Sequence, residues 1–194
     1  GFEIGNHSWT HANFGAADSA VRLAGELALV DNELKQLGVP KPVSFAWCGN
    51  GFGPEARTVL QNAGIRFARR GMQPEIPYGE IVPGPLYDPA SHDPLLIPTG
   101  GDGYPEWTLD HFKRVVDRAR DGKIVVLQFH GVPDIAHPWV HTPPERFREY
   151  MAYLKSEGFN VIALKDVARF RNPRDGENDP MIHTRYPDKS DSSK

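Results

Sequence analysis

Apolar residues recur at three- and four-residue steps from Ala16 to Leu37. Leu23, Leu27, Val30, Leu34 and Leu37 define one face, and Gly38 followed by Pro40 ends the pattern. This predicts a long amphipathic helix. Val43 to Trp47 is a short apolar run between Pro42 and Gly49, the signature of a buried strand. Pro54 to Asn62 reads as a helix with proline at its start and Gly64 past its end, and Ile65 to Ala68 as the next strand. Thr108 to Arg120 is helical again, with Thr108 as N-cap and Leu109, Phe112, Val115, Val116 and Ala119 on the apolar face. Ile124 to Phe129 is a near-continuous apolar run of the kind found in parallel sheets. Thr142-Pro143-Pro144-Glu145 opens a helix that runs to about Glu157, with Gly158 at its end. Val161 to Ala163 then reads as a strand and Lys165 to Arg169 as a short closing helix.

Two stretches break this alternation. Arg70 to Glu106 has little periodicity and many Gly and Pro, so it is expected to be a long loop, functional or disordered. From Asn172 the chain is polar, and residues 172–194 are expected to form a disordered tail on one domain spanning residues 1–171. Helices alternating with strands predict an α/β fold with a mostly parallel sheet, whose sites gather where strands end and loops begin. The chain opens on Gly-Phe-Glu-Ile-Gly-Asn, with Phe2 to Ile4 reading as the end of a strand already in mid-fold. That pattern suggests a fragment or processed product, and it leaves the compartment open.

Composition narrows the function classes. The net charge of −3 offers no basic excess for nucleic acid. No apolar run approaches the ~20 residues of a membrane span. A single cysteine, Cys48, excludes an internal disulfide and a cysteine-rich zinc site. Eight histidines are the notable surplus. His7-Ser8-Trp9-Thr10-His11 follows the opening strand remnant. If this segment turns helically, the two rings share a face with Cβ atoms about 5–6 Å apart, suited to one divalent metal; otherwise they are a chance pair. His130 ends the Ile124–Phe129 run, a position for catalysis or for capping a loop. His137 and His141 repeat the four-residue spacing, but Pro138 argues against a helix there. They either bind a metal, shape a pocket wall or pair with a carboxylate such as Asp134. Trp9, Trp47, Trp107 and Trp139 offer apolar faces for a ligand or fill the core.

Gly5-Asn6-His7-Ser8-Trp9-Thr10-His11 resembles the second motif of the polysaccharide deacetylases, the NodB-homology group of carbohydrate esterase family 4. Val125-Val126-Leu127-Gln128-Phe129-His130 resembles that family's late motif, a hydrophobic strand ending in the catalytic histidine. The α/β order between the two motifs and the closing Phe159-Asn160-Val161-Ile162 segment agree, so the resemblance covers roughly residues 1–170. The family's first motif, an Asp-Asp pair, has no counterpart within the chain and is expected upstream of Gly1. The third motif corresponds to Phe45-Ala46-Trp47-Cys48-Gly49-Asn50, with Ala46 where arginine would stand. Asp102 and Trp107 are the candidates for the fourth.

The resemblance implies a distorted (β/α) barrel of the NodB type, truncated at its N-terminus. It implies a metal-dependent hydrolase of N-acetyl groups on a carbohydrate polymer. His7 and His11 would hold the divalent ion, Zn2+ foremost and Co2+ or another ion as alternatives. His130 would protonate the leaving amine with Asp102 beside it, and Trp47, Trp107 and Trp139 would line the sugar site. Without the Asp-Asp pair, residues 1–194 alone are expected to be inactive. Two alternatives remain open: a hydrolase of the same fold acting on a cyclic amide or imide, and an inactive sugar-binding relative.

Overall fold

The computed structural model describes residues 2–172, 176 and 178–181. The first helix, α1 (Ala17–Gln36), buries Ala20, Leu23, Glu26 and Leu27 along one stripe, as its apolar spacing predicts. It is followed by β1 (Ser44–Ala46), a short 3-10 turn at Cys48–Asn50, α2 (Pro54–Asn62) and β2 (Phe67–Arg70). Then come β3 (Ile97–Pro98), β4 (Gly101–Asp102), α3 (Leu109–Val116), β5 (Leu127–Gln128), α4 (Pro144–Ser156) and a 3-10 segment at Leu164–Phe170.

The chain forms two compact units built from interleaved segments. Among the described residues, the first comprises 2–71, Pro89–Ile97 and those within 162–179; the second comprises Met72–Asp88, Pro98–Val161 and 180–181. In the first unit β1 and β2 pair in parallel, Ser44 opposite Phe67 and Ala46 opposite Arg69, in a three-stranded sheet ordered β1-β2-β3. Phe14, Leu23, Leu27, Phe45, Trp47, Leu60 and Leu95 fill its core. Trp47 lies in this core with its indole N–H donating to the Leu95 carbonyl at 2.8 Å. The stretch after Arg70 is tied to the same unit by buried Asp93, which pairs with Arg57 and accepts from the Leu95 backbone N–H at 2.7 Å.

In the second unit β4 and β5 pair in parallel, Gly101 opposite Leu127 and Asp102 opposite Gln128. The Thr108 hydroxyl caps α3 by accepting the His111 backbone N–H, as its position before the apolar run predicts. The core gathers Tyr104, Trp107, Phe112, Val115, Val116, Val140, Tyr150 and Leu154. Phe112 and Tyr150 stack at 4.4 Å with planes 10° apart, and the Tyr150 hydroxyl donates to the Trp107 carbonyl. Met72, Ile76 and Met181 form a small separate cluster. Of the expected tail, residues 173–175, 177 and 182–194 lie outside the described residues. Within it Asn178 exchanges backbone hydrogen bonds with the chain at Ser91 and Asp93, and Met181 is fully buried.

The expected barrel is not formed. Among the described residues the strands make one three-stranded and one two-stranded sheet, and neither closes on itself. Closure requires each strand to be hydrogen-bonded along both edges. The Ile124–Phe129 run is extended strand only at Leu127–Gln128, is half-buried throughout, and adds a single antiparallel bridge from Ile124 to Tyr87. Val161–Ala163 forms no strand, and Val161 is exposed. Phe2 and Ile4 are exposed as well, and the opening segment contributes one bridge, Asn6 to Phe45. An apolar run reports that a segment wants burial; it does not specify that a neighbouring strand is present to pair with it.

Because Phe112 is fully buried and carries the stack on Tyr150, Phe112→Ala should cost about 3–5 kcal/mol of stability in urea unfolding. A cost below about 1 kcal/mol would mean that the second unit's core does not depend on this stack.

Candidate functional site

The Asn6–His11 turn begins at the parallel bridge that joins Asn6 to Phe45 of β1. The Asn6 N–H donates to the Ser44 carbonyl at 2.8 Å, and the Ala46 N–H donates back to Asn6 at 3.1 Å. The turn is not helical. Ser8 and His11 adopt left-handed backbone angles, φ 62° and 57°, each costing roughly 1–2 kcal/mol for a residue with a Cβ. Side chains offset that cost. The Asn6 side-chain oxygen accepts the Ser8 N–H at 2.9 Å, and the Ser8 hydroxyl accepts the His11 N–H at 3.0 Å. Glu26, on the buried stripe of α1, accepts the backbone N–H groups of Trp9 and Thr10 at 3.2 and 3.0 Å and the Thr10 hydroxyl at 2.7 Å. Burial works to raise the Glu26 carboxyl, but these hydrogen bonds outweigh it and hold the group below its ordinary range.

This turn brings the His7 and His11 rings edge to face, 4.8 Å between centroids. His7 Nδ1 lies 2.7 Å from the Ala46 carbonyl. A carbonyl at that nitrogen selects the Nδ1–H tautomer and makes Nε2 the ligand-type atom. His7, His11 and Cys48 offer donor atoms that lie within 4.8 Å of one another. Both imidazoles are exposed and Cys48 is fully buried. The Cys48 thiol donates to the His7 carbonyl at 3.1 Å, and burial pushes it up, away from the thiolate that metal ligation needs. The two imidazoles are therefore the donors suited to a divalent ion, and the sulfur supports the His7 backbone.

The second unit holds its own cluster. His130 follows β5, and its Nδ1 lies 2.5 Å from Asp134 Oδ2. His137 Nδ1 lies 3.1 Å from Asp134 Oδ1, which also accepts the His137 backbone N–H at 2.9 Å. A Cβ at Gly131 would come within 2.6 Å of the Asp134 Cβ, so glycine is what lets Asp134 fold back over the strand end. The bond from His130, with smaller help from His137, holds the Asp134 carboxyl below its ordinary value of 3.8. His141 stands apart from the cluster and bridges Gly131 through its backbone.

The remaining expected site residues are distributed differently. Asp102 is buried beside β5 and accepts the Tyr104 hydroxyl at 3.1 Å; the burial of Tyr104 itself, and then the Asp102 charge, push that phenol far above its ordinary value. Trp47 and Trp107 are 1% and 2% exposed and packed in the two cores, whereas Trp139 is 60% exposed and stands 5.5 Å from the His137 ring. The pairing of His137 with Asp134 is one of the alternatives read from sequence, whereas Glu26 and the contact of His130 with Asp134 are not singled out there. For Glu26 the signal was an acid in register with Leu23 and Leu27 on the apolar stripe. For the cluster it was the spacing His130, Asp134, His137 across Gly131.

Residues 1–68 match the model of the polysaccharide deacetylase family. The chain resembles in fold a family 4 acetyl xylan esterase from Clostridium thermocellum, solved in complex with a cobalt ion. That likeness has a TM-score of 0.52 at 20% identity and covers 95% of this chain and 71% of the esterase. None of the curated proteins matches the chain.

The His130 contact sets a pH prediction. A carboxyl depressed in the folded state stabilises the fold above its unfolded value, and that contribution disappears as pH falls through the folded value. Carbon-detected NMR should find Asp134 titrating below 3.8, and His130→Ala should move it upward. An unchanged titration in the variant would contradict the contact.

Proposed function

We propose that the chain is a metal-dependent hydrolase that removes acetyl groups from an N-acetylated carbohydrate. The observation that carries this reading is the His7–His11 pair, two imidazoles at 4.8 Å on a turn fixed by Glu26 and by the Ala46 carbonyl. The match of residues 1–68 to the deacetylase family and the fold-level likeness to a cobalt-bound esterase support it. A divalent cation on these residues, Zn2+ foremost, supplies Lewis acidity for the scissile carbonyl and lowers the pKa of water.

The chain's own residues do the rest. Glu26 and Asn6 hold the two rings in register. The Ala46 carbonyl keeps the His7 tautomer correct for ligation. The family resemblance implies His130, in the second unit, as proton donor to a leaving amine. The orienting role expected of Asp102 passes to Asp134, whose carboxylate contacts His130 Nδ1. Trp139 is the exposed aromatic face available to a sugar ring.

Acetate release from chitooligosaccharides tests the reading, with acetylated xylan, the substrate class named for the similar esterase, and small cyclic amides run beside them. Release should stop on chelation and return with Zn2+ or Co2+. His7→Ala and His11→Ala should each remove the ion held by that pair and turnover with it, while His130→Gln should lower kcat about 10²–10⁴-fold and leave the ion at His7 and His11 in place. Metal-independent turnover would overturn the proposal. Metal binding without hydrolysis of any of these substrates would favour the sugar-binding alternative.

A further inference from the structure

The loop from His130 to His137 carries a second set of donors that the proposed chemistry uses only in part. We propose that His130, Asp134 and His137 form a second divalent-cation site, of a chemistry that takes Zn2+ or Co2+.

The donor set is the first argument. Two imidazoles and one carboxylate suit borderline divalent ions and leave positions open for water. Spacing is the second. The donor atoms lie within 4.8 Å of one another, with His130 Nδ1 2.5 Å and His137 Nδ1 3.1 Å from the Asp134 carboxylate. Bonds of about 2.0–2.2 Å to a tetrahedral ion put neighbouring donors about 3.3–3.5 Å apart, so the two contacts to Asp134 need to open by about an ångström or less. The third argument is support. His130 is positioned by the end of β5 and Asp134 by its close approach to Gly131. The His137 backbone N–H is bonded to Asp134, and the Thr142 N–H holds Gly131 at 2.9 Å. The two rings are 44% and 49% exposed, so an ion reaches them directly from solvent.

In the metal-free protein the Nδ1–H groups donate to Asp134. On loading, a ring with one hydrogen would move it from Nδ1 to Nε2 and give the Nδ1 lone pair to the ion with no net proton release, and a ring with two would lose one proton to solvent. The state with an ion bound excludes the state in which His130 donates a proton. That consequence rests on the proposed function, whereas the binding site does not.

Titrating Co2+ into the full chain, followed by its visible d–d absorption and by quenching of Trp139 beside His137, tests the site. The wild type should bind two ions. The doubly substituted His7→Ala/His11→Ala protein should retain one, with tetrahedral absorption and Trp139 quenching that Trp139→Phe removes. Adding His137→Ala should weaken that remaining binding at least tenfold. Because both rings are exposed, circular dichroism should register no loss of structure. No absorption band in the doubly substituted protein would overturn the inference, as would a band surviving the joint His130→Ala and His137→Ala substitution. Failure of the His7–His11 reading looks different: the wild type binds one ion and the doubly substituted protein keeps it.

Discussion

One carboxylate on the buried face of α1 governs the geometry on which the first unit's chemistry depends. Glu26 accepts three hydrogen bonds from Trp9 and Thr10. Those bonds pin the middle of a turn that two left-handed residues would otherwise destabilise. Charge-assisted hydrogen bonds of this kind are stronger than neutral ones, and burial of the acceptor on an apolar stripe strengthens them further. Removing Glu26 would not merely loosen a loop. It would leave the Trp9 and Thr10 N–H groups without this acceptor and free the two imidazoles to separate. The strain is located where the function is proposed, and the hydrogen bonds that hold it come from a helix that is otherwise structural.

The second unit uses a different device. There a glycine next to a strand end allows a carboxylate to fold back between two histidines. No helix is involved; backbone bonds at Gly131 and His137 position the group. Each unit thus places imidazoles just beyond a parallel pairing, the Asn6–Phe45 bridge in one and β5 in the other, where backbone N–H and C=O groups run out of ladder partners and side chains take over.

The helices were the most legible part of the sequence. α2 has the predicted bounds, and α1, α3 and α4 differ only at their ends, because a 3.6-residue apolar period and its caps are local properties. Strands were legible as apolar runs but not as a sheet. Among the described residues the Ile124–Phe129 run pairs as a strand only at Leu127–Gln128 and neither sheet closes, so the barrel inferred from resemblance does not appear. The His7–His11 spacing pointed to a shared face, yet the rings meet through a tight turn rather than a helical one. Spacing in sequence cannot distinguish those routes, and the Ser8 and His11 backbone angles are visible only in the fold. Trp47 and Trp107 were ambiguous for a related reason: an indole in a motif and an indole in a core look alike until burial is known.

The central claim is that Glu26 preorganises His7 and His11 for a divalent ion. It is tested most directly by the Co2+ or Zn2+ affinity of Glu26→Ala against wild type, with His130 and His137 substituted in both so that one site is measured. Support of this kind typically governs metal affinity by about 10–100-fold. The account predicts a loss in that range with the helical content of the protein retained. Equal affinity in the two proteins would contradict it.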